Sequence, residues 1–580
     1  MSIVIHSAIT LGLQVVPLTI EAALGSGFAG VQLLGLPHDY ARDAKERIRA
    51  AIESLGISLP ARRLIVSVRP SELLKPFKAG LEHLDLPCTI AILAALAEMQ
   101  TPPKMKSGQS HLKNMLPMLR QSRHFFAGHL TLCGEILPLE SSLPFELLAL
   151  QEFKENSHFW FYPHPERRLS FPSPSMCCIV SLSDCVSQLQ HNSCPVSAAQ
   201  FHHTQEHRNL DETPSSAASS RSNTHFQRLE KIESTFRKFE RCPALALAMC
   251  IAAAGKHHLL LAGSPGCGKT FALRQFKHLL PPLTEQERME VALIHGRAPA
   301  HFVERPFRNP HHSASGAALL GGSQLQPGEV TLSHHGILFL DELAEFPRPA
   351  LESLREPLDE QKISLSRAKG RIELPAKFLL TAATNPCPCG FYFSRTEQCR
   401  CKVGSPQKYQ QKLSGPLLER FDILLLVDHL LELPEWASPQ ARTSHLSPLT
   451  QGAMSWMEAL LKNPEEWILH FMKVQESAWQ SSGETQPLHL SPELSALAIK
   501  KAWSTRKTLR IQSLYNTLSK LFPDSSNQVL NPDTKLIIAE ELRHLETTLQ
   551  FGVCDLTAFA GASNLKKNAE SHDNITCHES

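Results

Sequence analysis

Eight residues constrain the fold of this chain more than any other stretch. They are Gly263-Ser264-Pro265-Gly266-Cys267-Gly268-Lys269-Thr270, a full match to G-x-x-x-x-G-K-[ST]. The apolar run HHLLLAG precedes them, and KTFALRQFKHLL, with helical spacing, follows. A strand that feeds a glycine loop and then a helix is the phosphate-binding unit of a parallel α/β sheet. The glycines let backbone N–H groups curl around phosphate oxygens, and the positive end of the helix faces the same point. Lys269 is predicted to bridge the β- and γ-phosphates of ATP, and the Thr270 hydroxyl to hold Mg²⁺. Nucleotide binding therefore follows from this segment and its flanks.

Downstream, Gly336-Ile337-Leu338-Phe339-Leu340-Asp341-Glu342 reads as a buried strand ending in two acids. Such an ending can place one carboxylate toward the metal and the next toward water. Asp341 is assigned to Mg²⁺ and Glu342 to polarising the attacking water. Alone the pattern is weak, since many strands end in acidic turns; its place after a full P-loop gives it weight. A third strand, Lys377 to Thr384, ends at Asn385, whose amide can bond the lytic water or the γ-phosphate. Lying before Pro386, Asn385 also reads as a turn former. Arg420, in Gly415-Pro416-Leu417-Leu418-Glu419-Arg420-Phe421-Asp422, stands beside acids at a helix end. Two readings fit it equally: a finger entering a neighbouring subunit's site, or an ion pair.

Composition narrows the class. The 580 residues carry 58 Lys and Arg against 56 Asp and Glu, a net charge of +2, so no global basic field advertises nucleic acid. Any such contact must come from a local patch or a pore. No run reaches the roughly 18 apolar residues of a membrane span. The apolar start, Met1 to Ile20, lacks a basic leader region and reads as strand. Most of the 15 cysteines stand singly, which suits a reducing compartment, and a cytoplasmic protein with no membrane partner is expected.

The chain divides at polar, Ser-, Gly- and Pro-rich segments. Residues 1–190 are expected to form an α/β domain interrupted by a loop at Thr101 to His124. Residues 191–225 read as a flexible linker, 226–428 as the nucleotide-binding core and 429–486 as an insertion or linker with packing residues Trp456, Trp467 and Trp479. A helical lid over 487–560 and a disordered tail over 561–580 complete the division.

These elements, in this order, resemble the AAA+ ATPases, and finer detail narrows the likeness to the magnesium-chelatase-like YifB/ComM family. The carrying residues include Arg305-Pro306-Phe307-Arg308-Asn309-Pro310-His311-His312-Ser313, Pro327-Gly328-Glu329 and Leu340-Asp341-Glu342-Leu343. Leu354-Arg355-Glu356-Pro357-Leu358, Ser366-Arg367-Ala368, Asn385-Pro386-Cys387-Pro388-Cys389-Gly390 and Leu413-Ser414-Gly415-Pro416-Leu417-Leu418 complete the set. In the first domain, Gly35-Leu36-Pro37, Lys45-Glu46-Arg47-Ile48-Arg49, Pro60-Ala61-Arg62-Arg63 and Asp85-Leu86-Pro87 resemble the family's companion domain, which has the fold of the Lon protease domain (ribosomal S5-like). No Gly-Pro-Ser-Ala-Gly nucleophile motif is present, so proteolysis is not inherited. The resemblance implies a P-loop AAA+ core with a C-terminal helical lid, working as a hexameric homo-oligomer ring. Some members act on DNA in branch migration, which makes single-stranded or branched DNA the expected partner. Arg506 matches the lid arginine that reaches back to nucleotide, whereas Asn516 stands where the family carries a second arginine.

Two further features carry chemistry. Cys387, Cys389, Cys399 and Cys401 form C-x-C-x9-C-x-C, which suits a structural Zn²⁺ held by four thiolates, the alternative being four reduced cysteines in a loop. The clustering favours the metal. The pairs His311-His312 and His334-His335 could suggest another metal site, but the preferred reading is ring-lining or packing residues. The segment from Lys362 to Leu374 alternates on both sides of Ala368-Lys369-Gly370 and reads as a β-hairpin with a basic tip. Six copies of Arg367, Lys369 and Arg371 would form a positive ring for DNA backbones; a solvated basic hairpin fits equally. The preferred reading is a ring ATPase that remodels or translocates DNA. A nucleotide-gated scaffold with weak hydrolysis and a chelatase-type motor subunit are the alternatives.

Overall fold

The computed structural model describes residues 3–74, 80–98, 111–151, 157–163, 176–191, 216–297, 299–322, 326–367, 370–394, 397–429, 448–480, 505–522, 535, 538 and 539. Two sheets organise them. The first uses strands β1 (Val4–Leu11), β2 (Gln14–Gly25), β3 (Gly30–Leu34), β4 (Arg63–Arg69) and β5 (Arg123–Ala127). A small ribbon of β6 (His129–Leu130) and β7 (Ile136–Leu137) follows, then β8 (Ser157–Phe161) and β9 (Met176–Cys178). The sheet order is β3-β4-β2-β1-β5-β8-β9, with the β1–β2 and β2–β4 pairs antiparallel and the remainder parallel.

Helix His38–Ser54 packs on this sheet through Ala44, Ile48, Ala51 and Ile52, the i, i+4, i+7, i+8 stripe its sequence carries. It stops where Gly56, at φ 72°, turns the chain and returns its N–H to the Glu53 carbonyl. Helix Asp85–Glu98 is buried on nearly every face, as its apolar run requires. Its first residue, Asp85, is a fully buried carboxylate met by Arg47 at 2.8 Å and by the Tyr40 hydroxyl at 2.7 Å. A charge this deep persists only when paired in this way. Part of the segment read as a loop is ordered and apolar: Leu116–Gln121 is helical with Met118 and Leu119 buried, and β5 begins at Arg123.

The second sheet is built from β10 (Leu259–Ala262), β11 (Phe307–Arg308), β12 (Ile337–Leu340), β15 (Leu379–Thr384) and β16 (Ile423–Leu426), in the order β11-β12-β15-β10-β16 and wholly parallel. Between β12 and β15 the antiparallel hairpin β13 (Lys362–Arg367) and β14 (Gly370–Pro375) stands apart. The runs LLLA, ILFL and LLTAAT are buried throughout because helices cover both faces. Alternate residues serve alternate faces. Leu259, Leu261, Ile337 and Phe339 join the layer around helix Pro243–Gly255, while Leu260, Ala262, Leu338 and Leu340 pack on Leu354, Leu417 and Phe421.

Two expected linkers are structured in part. Helix Ser216–Arg237 begins within the segment read as linker, and its Ile232 and Phe236 enter the core. Helices Pro448–Lys462 and Pro464–Gln480 fall in the stretch read as an insertion, yet they share one apolar cluster with helix Pro243–Gly255 and helix Thr505–Leu521. The tryptophans explain why. Trp456 is fully buried, edge-on to Phe236 at 5.5 Å, and Trp479 donates to the Ala253 carbonyl between Arg305 at 4.1 Å and Lys256 at 4.9 Å. They pack, as expected, and their packing makes these helices part of the core. The two sheet systems meet where the β1–β2 turn at Gly12 abuts Leu374 of β14, and where Leu143 packs on Ala292 and Leu293.

Candidate nucleotide site

In a parallel α/β sheet the loops leaving the C-terminal ends of the strands lie along one edge, where ligands bind. Here β10 is central. Its last residue, Ala262, is paired with Thr384 of β15 on one side and Leu426 of β16 on the other. Leu340 of β12 pairs with Ala382 of β15. The P-loop, Asp341, Asn385 and Asp428 therefore leave adjacent strands at the same edge, although they are far apart in sequence.

The P-loop turns through Gly266 at φ 82° and Gly268 at φ 93°, conformations that only glycine adopts without strain. Gly268 caps helix Lys269–Phe276. Lys269 is buried, and its Nζ donates to the carbonyls of Gly263 at 2.7 Å and Ser264 at 2.8 Å. The Thr270 hydroxyl lies 3.3 Å from Asp341 Oδ1, so the two groups assigned to Mg²⁺ converge across the β10–β12 separation. This oxygen pair is the donor chemistry a small hard cation takes beside phosphate.

Glu342 follows at φ 53°, an unusual value for a residue with a side chain, and its backbone N–H is held by Asp341 Oδ1 at 3.1 Å. Its carboxylate is half exposed and meets His312, whose Nδ1 is 3.1 Å from Oε2. Asn385 sits half-buried immediately after β15.

Sequence reasoning missed two of these neighbours. Asp428, just beyond β16, accepts the Ser264 backbone N–H at 2.6 Å and the Ser264 hydroxyl as well. The run DILLLVD does carry the signal, an apolar strand ending in an acid, but its significance depends on β16 lying beside β10. His312, which the sequence suggests as a lining or packing residue, is the second. Its contact with Glu342 comes from the loop after β11, the strand paired with β12.

Arg420 is buried rather than projecting. Its guanidinium pairs with Asp359 and donates to the carbonyls of Pro416 and, at 3.3 Å, Arg355. Arg506 falls in the first turn of helix Thr505–Leu521, and its side chain lies outside the described residues. One turn on, Arg510 reaches Asp422 at 2.6 Å and so fastens the lid helix to the start of β16. Asn516 accepts from Gln512 on its own helix at 2.8 Å. In the hairpin, Ser366 pairs with Arg371 and Arg367 with Gly370, so both arginines are near the turn. Lys369 and the side chains of both arginines lie outside the described residues.

The four cysteines come together directly behind Asn385. Cys387 Sγ is 3.3 Å from Cys389 and 3.8 Å from Cys399, Cys389 is 3.5 Å from Cys399, and the sulfurs of all four, Cys401 included, lie within 4.8 Å of one another. Four thiolates about 2.3 Å from a tetrahedral zinc would be roughly 3.8 Å apart. The donor set fits the metal. Burial raises the Cys387 thiol to about 12. Burial also opposes ionisation of Cys389, but backbone N–H groups of Phe391 and Arg400 outweigh it and pull that thiol down to about 6.

Glu290, His334 and His335 form a second close group. Here the hydrogen bonds speak for packing. His334 Nδ1 accepts the Lys377 backbone N–H at 3.0 Å, which leaves the proton on Nε2 to be donated to Glu290 at 3.2 Å. A protonated ring nitrogen is not a metal ligand.

Comparison with known proteins places these features. Residues 242–433 match the family described as magnesium chelatase, subunit ChlI, and residues 20–158 match that described as subunit ChlI of Mg-chelatase. The chain is 32% identical over 428 residues to the uncharacterized protein YifB of Escherichia coli, covering 73% of this chain and 75% of that protein. It is 34% identical over 433 residues to the competence protein ComM of Haemophilus influenzae, covering 73% and 76%. A shorter match, 29% identical over 174 residues, is to Lon protease 2 of Bacillus subtilis, with 25% of this chain and 31% of that one aligned.

Proposed function

Because the chain belongs to the magnesium-chelatase-like YifB/ComM family of AAA+ ATPases and is an ATPase-type enzyme, we propose that it is a ring motor that spends ATP on moving or remodelling DNA. The observation that carries the reading is the convergence of Lys269, Thr270, Asp341, Glu342 and Asn385 on one sheet edge, with a basic-tipped hairpin between two of the strands that supply them. Residues 263–270 cradle the phosphates, and Lys269 exchanges its carbonyl partners for phosphate oxygens. Thr270 and Asp341 would hold Mg²⁺, which would supply positive charge against the phosphates. Glu342 takes the proton of the attacking water, and Asn385 orients that water or the γ-phosphate. Arg420 serves the nucleotide of a neighbouring subunit by trading Asp359 for phosphate, and Arg506 reaches its own subunit's nucleotide from the lid.

The hairpin residues Arg367, Lys369 and Arg371 line the pore of a hexamer and bind DNA through its backbone, without sequence preference. Cys387, Cys389, Cys399 and Cys401 would hold a structural zinc, which would stiffen the loop behind Asn385. The likeness to a protein named for competence supports DNA as the substrate. The decisive measurement is ATP turnover with and without DNA. Single-stranded or branched DNA is expected to raise the rate several-fold. A rate indifferent to every form of DNA would reject the DNA motor while leaving the ATPase in place.

A further inference from the structure

The contact between His312 and Glu342 has no part in the scheme above. We propose that His312 is a positioning residue for the Glu342 carboxylate: its Nδ1 holds Oε2 and thereby leaves Oε1 free to take the proton of the attacking water. The proposal rests on the ATPase reading and adds a member to that site.

Three observations carry it. First, the backbone of Glu342 is already fixed. The residue stands at φ 53°, its N–H is bonded to Asp341 Oδ1 at 3.1 Å, and its carbonyl accepts the Glu345 N–H at 2.8 Å. The remaining freedom lies in the side chain, which is 55% exposed and would otherwise sample several rotamers. A single contact to Oε2 selects among them. Second, His312 is itself held. Its ring lies 4.1 Å from that of His311, and His311 Nδ1 accepts the Ser313 N–H at 3.3 Å. Upstream, Arg308 makes a two-pronged ion pair with Glu329, at 2.6 and 2.8 Å, and pairs in the sheet with Leu338. The imidazole is thus carried by the strand next to the one that carries Glu342. Third, a base oriented by another group recurs wherever a side chain must take a proton from a nucleophile. A contact this exposed adds little to folding stability, so an effect of His312 is to be read in turnover rather than in melting.

The contacting atom makes the test specific. From a common backbone, the amide nitrogen of asparagine occupies nearly the place of histidine Nδ1, whereas that of glutamine falls nearer Nε2. His312→Ala and His312→Gln are expected to lower kcat about tenfold or more while KM for ATP changes less than about twofold, and His312→Asn is expected to restore most of the rate. An unchanged kcat in His312→Ala overturns the proposal. So does a raised one, which would make the contact a restraint on Glu342. Hydrogen exchange tests the coupling apart from turnover: Glu342→Ala should increase deuterium uptake across residues 309–315, and identical uptake would also overturn the proposal. A wild-type protein that hydrolyses no ATP with or without DNA would instead sink the ATPase reading itself, and this role with it.

Discussion

Ser264 gives both its backbone N–H and its hydroxyl to Asp428, which ties the first turn of the P-loop to the end of β16. Asp428 is nearly buried, and hydrogen bonds to a buried anion contribute about 1.5–3 kcal/mol each where measured. Asp428→Ala should therefore weaken binding of a fluorescent ATP analogue by about tenfold or more and lower the melting temperature, while Asp428→Asn, which keeps one acceptor, should fall between. Unchanged affinity in Asp428→Ala would show that the loop holds its shape without this tie. At this scale the sequence was most legible for groups whose spacing carries chemistry. Lys269, Thr270 and Asp341 were named from a motif and a strand ending, and Thr270 and Asp341 do meet. Arg420 shows the opposite case. Its neighbours in sequence left finger and ion pair equally open, and its present partner, Asp359, belongs to another helix.

The cysteine loop joins two elements that the sequence presented separately. It follows β15 directly, and Gly390, at φ 85°, presses so closely on Pro265 of the P-loop that a Cβ there would fall 2.4 Å from Pro265 Cδ. A metal that shapes this loop would therefore also press on the P-loop at Pro265. Elemental analysis of freshly reduced protein is expected to find about one zinc per subunit, and Cys399→Ser with Cys401→Ser to lose it along with part of the nucleotide affinity. Protein free of zinc after purification under reducing conditions would remove the metal from the account. Strands and the buried helix Asp85–Glu98 were readable because period and apolar content are local properties. The helices at Pro448–Lys462 and Pro464–Gln480 were underrated because polar flanks resemble linkers, and only contact with helix Pro243–Gly255 shows where their apolar faces go.

Across the whole molecule, helix Thr505–Leu521 shares the apolar cluster of the core, and specific polar ties add to that packing. Arg510 with Asp422 and His257 with Thr517, at 2.9 Å, fasten the lid helix beside β10 and β16. Burial disfavours a charged Asp422, but Arg510 and the His257 side chain prevail and hold its carboxyl far below the usual range. A ring motor keeps its nucleotide between subunits, so a variant that binds ATP without hydrolysing it should hold the ring together. Glu342→Gln with ATP is expected to give a stable hexamer by mass photometry, and a species that stays monomeric at every concentration would argue against the ring. The near-neutral net charge of +2 gives no global basic field, so the proposed DNA contact falls to the hairpin, where the sequence sets Arg367, Lys369 and Arg371 close together. By itself the sequence determined the phosphate loop, the acids and amide that end its neighbouring strands, the hairpin and the cysteine set, because each is a short pattern whose chemistry depends on spacing along the chain. Tertiary structure alone decided that Asp428 anchors the P-loop, that His312 faces Glu342, that Arg420 pairs with Asp359 and that the tryptophan-bearing helices belong to the core. Those contacts join residues brought together by strand order and by the burial of apolar faces, and neither is written in local spacing.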